Sequence, residues 1–196
     1  ELVESKKFLL FKNALRTQGP DRALDQFAPA TFSMPAVRAS VHRQASQSYL
    51  AQSRLTEAIR ALKAAQELAG EPADHLRLAR MYFLLGGSDS EALSSAHRAH
   101  RLQQSDETLY WLGWLSFLWQ DTETARKAFR DVVLRPESFL ADESLTWMVA
   151  MGRKNSPAPQ AIGRMLRAAM SDRLEEIDDE NLPVAVQIAL RREAIR

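Results

Sequence analysis

His97 and His100 stand three apart on one predicted helix, the nearest approach to a metal-ligating pair in the sequence. Two imidazoles make a poor site alone, and no carboxylate at a useful spacing joins them, so they read as surface histidines. His42 and His75 are isolated and have no nucleophile to serve. The run Glu175–Glu180 holds acids enough for paired acid–base work, but consecutive acids point several ways and read as a solvated linker. Trp111, Trp114 and Trp119 are a candidate sugar-stacking set, although tryptophans at helical spacing more often fill a core or an interface. No phosphate-cradling glycine loop, nucleophile elbow or zinc spacing occurs. With no cysteine, disulfide and thiol chemistry are excluded and the redox compartment stays open. The reading is of a non-catalytic chain without cofactor or metal.

What the residues do carry is periodicity. Residues 106–136 hold two apolar-periodic segments divided by a polar break at Gln120–Thr124. Leu109, Leu112 and Leu115 mark the first segment, with the small Gly113 among them; Ala125, Ala128, Phe129 and Val132 mark the second, and Pro136 ends it. A glycine facing a small alanine lets two helices cross closely, which predicts a helical hairpin. The pattern recurs. Ala125, Phe129 and Val132 are matched 33 residues earlier by Ala92, Ala96 and Ala99, and then by Ala58, Leu62 and Ala65. Ala23, Phe27 and Ala30 come before these, and Ala161, Met165 and Ala168 after. Phe11, Ser46, Ala79, Gly113 and Val149 precede the signature alanines by twelve or thirteen residues, with Ala14, Tyr49, Tyr82, Ser116 and Gly152 three further on.

Self-similarity of this period marks a repeat array, and the pattern resembles the tetratricopeptide repeat, a helix–turn–helix unit of about 34 residues. The resemblance is strongest over 39–138, three repeats, and weaker over two degenerate hairpins at 1–38 and 139–174, where Phe11 and Val149 replace the family's small residue. Segment 175–196 is an acidic linker and a terminal helix that would cap the stack. The resemblance implies an all-α, right-handed α-solenoid of about five hairpins plus a C-terminal helix. In chain order the expected helices are Leu2–Thr17, Asp21–Phe27, Val37–Gln52, Thr56–Ala69, Ala73–Leu85, Ser90–Leu102, the 106–136 pair, Asp142–Gly152, Pro159–Leu174 and Pro183–Ile195. Asp21, Thr56, Ser90 and Asp106 are the expected caps and Gly86-Gly87 a turn.

A hairpin of this size cannot bury its own apolar face, so neighbouring units stack and leave a concave surface, lined in the resembled family by the first helix of each unit. Projecting those helices gives a candidate partner groove of Lys12, Arg16, Arg43, Gln47, Arg80, Phe83, Tyr110, Trp114 and Phe117, with Phe8 and Leu76 beside them. Basic at one end and aromatic at the other, it would suit an extended protein segment with acidic residues and a bulky apolar anchor. For Trp114 and Phe117, packing against the next unit is the competing reading; for Arg43 and Arg80, ordinary solvated surface is. Arg43, Gln47 and Arg77 lie near the places of the family's carboxylate clamp, but Ala73 and the missing asparagines break that pattern.

Formal net charge is +1, so no whole-chain field drives binding to nucleic acid or membrane. No run approaches the ~18 apolar residues of a membrane span. No signal peptide is visible. The numbering opens at Glu1, which reads as a processed or excised segment of a longer protein. Arginine exceeds lysine and alanine is abundant, a composition pointing to a GC-rich bacterial source. The expected role is a protein-interaction scaffold in a bacterial envelope, secretion or exopolysaccharide-export assembly, in periplasm or cytoplasm with the periplasm favoured. An accessory solenoid of a cell-wall-processing enzyme is one alternative. An RNA-binding helical repeat is another, which the near-neutral charge disfavours.

Overall fold

The computed structural model describes residues 2–87, 89–135, 137–152, 159 and 161–164. Among them all regular structure is helical, with no strand. The helices are α1 Leu2–Gln18, α2 Pro20–Gln26, α3 Pro35–Ala51, α4 Leu55–Ala69, α5 Pro72–Leu85, α6 Asp89–Leu102, α7 Asp106–Leu118, α8 Thr122–Val133 and α9 Ala141–Met151, with a 3-10 turn at Pro29–Thr31. They pack as neighbours in sequence: α1 with α2, α3 with α4, α6 with α7, α7 with α8 and α8 with α9. Two compact units divide between Met81 and Tyr82. The expected helices at 159–174 and 183–195 and the acidic run at 175–180 lie largely or wholly outside the described residues.

The signature alanines locate the helix contacts. Ala23, Ala58, Ala92 and Ala125 are all fully buried, as are Ala65, Ala99 and Val132 seven residues after the last three. Spacing of four and seven holds such residues on one stripe of a helix, which is why Arg60, Lys63 and Glu67 of α4 are left on the solvent side. The position twelve or thirteen earlier is closed by Phe11, Ser46 and Ala79, all buried. Gly113 sits at the tightest crossing. A Cβ there would lie 3.2 Å from the Ala128 Cβ and 3.1 Å from the Phe129 ring, so glycine is what lets α7 approach α8.

The turn between paired helices is built the same way twice. After α3, Ser53 takes a left-handed φ of 58°, and after α7, Gln120 takes 64°. The Arg54 N–H then donates to the Tyr49 carbonyl at 2.9 Å, and the Asp121 N–H to the Ser116 carbonyl at 2.9 Å. These are Schellman closures that satisfy orphan carbonyls at the end of one helix and start the next without slack. Gly87, also five before its signature alanine, has φ 72°. The alanine N–H closes the first turn of the second helix, Ala58 to Arg54, Ala125 to Asp121 and Ala23 to Gly19.

Several local expectations need correcting. Asp21 does not cap α2, which starts at Pro20 behind Gly19; its carboxylate instead accepts from Tyr49 Oη at 2.8 Å and pairs with Arg54. Thr56 and Ser90 lie inside their helices. The α7 cap is Ser105, not Asp106, because Ser105 and Thr108 exchange hydrogen bonds in a capping box. Ala30 is exposed, since α2 ends at Gln26 and the alanine falls in the 3-10 turn. Val149 is about half exposed, and Trp147 and Ala150 supply the buried face of α9 in its place.

Candidate interaction surface

The groove residues anticipated from sequence have very different fates. Lys12 and Arg16 on α1 and Gln47 on α3 are exposed, and Arg80 is half-buried. Arg43 is a correction: it is buried, with little left for a partner. Its Nε reaches both Asp74 oxygens at 3.1 and 3.0 Å, its Nη2 reaches Asp74 Oδ2 at 2.8 Å and donates to the Ala69 carbonyl, and its Nη1 meets Glu71 at 2.9 Å. Asp74 at the start of α5 is wholly buried, so the pair compensates charge that would be costly alone. The guanidinium is held above its ordinary pKa, by the Asp74 hydrogen bonds foremost.

The aromatic end is a correction too. Phe83, Tyr110, Trp114 and Phe117 are each at most 9% exposed, a core cluster of the second unit and not an open wall. Phe83 meets Trp114 edge-on at 4.6 Å, Trp111 meets Trp114 at 5.5 Å, and Trp147 of α9 takes both Trp114 and Phe117, at 6.4 and 5.8 Å. Edge-to-face contacts at these distances add to area burial. Such rings must be covered because α7 is apolar on every side from Thr108 to Phe117. Tyr110 Oη donates to Glu143 Oε1 and accepts from Trp147 Nε1 at 3.2 Å, so the phenol and the Trp147 indole are satisfied, while Trp114 Nε1 is buried with no hydrogen-bond partner among the described residues.

These two buried arrangements share one position in the repeat. Arg43 and Tyr110 both lie fifteen residues before a signature alanine, at Ala58 and Ala125. Asp74 and Glu143 both lie eighteen before the next, at Ala92 and Ala161. A first helix is thus tied to the following first helix by a buried carboxylate, ionically in one unit and through a phenol in the other. The signal was in the sequence, as an acid 31 or 33 residues past the partner side chain.

Two clefts open on the surface of the described residues. One, of ≈ 390 Å³, lies between α1 and α3 and is lined by Phe8, Met34, Val37 and the Glu4 side chain. Glu4 accepts from the Ser33 hydroxyl at 2.6 Å and from its N–H at 2.5 Å, bonds that hold its carboxyl below the usual range. The other, of ≈ 640 Å³, is set by Arg126, Lys127 and Arg130 on α8 and Met148 on α9. Projection onto first helices alone overlooks these cations, whose spacing of one and four on a second helix is visible in the sequence. Among the described residues no group of three potential ligands could hold a metal ion, and no helix is long and apolar enough to cross a membrane. Burial lowers the pKa of His42 and of His100, the latter helped by Arg135 and His97.

Neither protein-family models nor curated proteins give a match to this chain.

Proposed function

We propose that the chain is a tetratricopeptide-like array, a right-handed solenoid that works as a non-catalytic protein-interaction scaffold within a bacterial assembly. The observation that supports it most is the repetition of one helical hairpin with the same alanine contacts and the same left-handed turn residue. Repeats whose buried atoms serve mainly their neighbours leave their outward side chains free for recognition. Lys12, Arg16 and Gln47 remain the groove positions with exposed side chains.

Site-specific photo-cross-linking from positions 12, 16 and 47 in the source cells tests this reading. The expected result is a discrete protein adduct at one or more positions, reproduced with purified components. Adducts to RNA alone would overturn the scaffold role. An experimental structure whose hairpins lack a constant right-handed rotation would overturn the solenoid.

A further inference from the structure

Thr122, Glu123, Arg126, Lys127 and Arg130 on α8, with Met148 on α9, line the ≈ 640 Å³ cleft of the second unit. Arg126, Lys127 and Arg130 are exposed. Among the described residues no carboxylate lies within ion-pair distance of Arg126 or Lys127, and the Arg130 contact with Asp131 is a loose 3.8 Å. Three cations gathered beside the apolar Met148, with so little internal compensation, form a surface with a definite complement.

We propose that this cleft docks an extended acidic segment of a partner protein carrying an apolar residue, an inference that rests on the interaction-scaffold reading. Arg126 and Arg130 are one turn apart, a rise of about 6 Å along the helix. Alternate residues of an extended chain are about 6.6 Å apart, so carboxylates two apart would meet the two guanidinium groups in step. Each guanidinium can donate two parallel hydrogen bonds to a carboxylate, and Lys127 supplies a third charge without a fixed geometry. Met148 offers the partner's apolar side chain a deformable contact. Glu123 on the same rim disfavours a uniform polyanion such as RNA and leaves room for a peptide with an uncharged residue there.

The test uses the full chain and a fluorescein-labelled Glu-Leu-Glu-Leu-Glu peptide, read by fluorescence anisotropy. The acidic peptide should bind, more weakly at higher salt, while its Lys-Leu counterpart should not. Arg126→Glu with Arg130→Glu should lower affinity by about tenfold or more, and Met148→Ser by about threefold, with helicity unchanged by circular dichroism. Equal binding by the charge-reversed variant would overturn the proposal. So would tighter binding of a single-stranded RNA oligomer lost in the same variant, or peptide binding that emerges only after removal of residues 175–196, whose acids would then be the occupant. A protein found by cross-linking at positions 12, 16 or 47 that binds the charge-reversed variant normally would remove the cleft and leave the scaffold reading standing.

Discussion

The junction between α3 and α5 and the junction between α7 and α9 solve one geometric problem with opposite chemistry. In the first, Arg43 closes on Asp74, a full charge pair with both side chains nearly out of water. In the second, Tyr110 closes on Glu143 while Trp147 donates to the phenol, inside an aromatic cluster. A buried ion pair depends on both partners because either charge alone is left desolvated. A phenol needs only an acceptor, and the rings around it contribute whether or not the carboxylate is charged. In these two units the same repeat positions carry the tie, and the local surroundings specify its kind.

Removing charge from each carboxylate separates the two cases. Asp74→Asn should destabilise by about 3–5 kcal/mol, since Arg43 keeps only the half-exposed Glu71 and a carbonyl. Glu143→Gln should cost about 1 kcal/mol, because the amide oxygen still accepts from Tyr110. Urea unfolding of both variants measures the difference, and equal losses would break the comparison. Gly113→Ala comes next, at about 1–3 kcal/mol, because the added methyl must displace the Phe129 ring or the Ala128 contact.

Proton linkage sharpens the contrast at high pH. Burial, and then the hydrogen bond to Asp21, push the Tyr49 hydroxyl up to about 12. Stability from that group is intact below the unfolded value of about 10 and is lost as pH rises toward 12. Melting curves of wild type and Tyr49→Phe between pH 9 and 11 should converge as the wild type weakens, roughly following that titration. On the acid side both units weaken together. Asp21 is held low by Arg54, Asp106 by Ser138 and then Arg135, and Asp121 by Thr124, so their contribution is present above about pH 4 and lost below it. The smallest effect should come from the turns. Ser53→Gly and Gln120→Gly should each raise stability by about 0.5–1 kcal/mol, relieving a side chain from a left-handed backbone.

The helices and their pairing were legible because alanine spacing is a local signal, repeated often enough to align itself. The Gly113 crossing was legible for the same reason, as a missing side chain among bulky neighbours. Arg43 was not. An arginine on a helix face reads as solvated until its partner is known, and Asp74 is a whole repeat away. The caps failed within one or two residues because Ser105 and Asp106 are both good cap types, and hydrogen-bond geometry chose between them. For Trp114 and Phe117 the competing reading, packing against the next unit, is the one that holds, because Trp147 of α9 covers both. Repeat spacing alone could not choose between that and an open wall.

The turns with Ser53 and Gln120 also limit how this chain can change length. Each runs from a Schellman closure directly into the next helix, with nothing between that could absorb an added residue. One insertion there would rotate the following helix by about 100°, taking Ala58 or Ala125 off its contact. Intervals between signature alanines nevertheless vary, from 35 to 34 to 33 residues. Drift in spacing must accordingly be taken up outside these joints, in the first helices and the links that follow the second ones, where new sequence can enter without turning a buried face toward water.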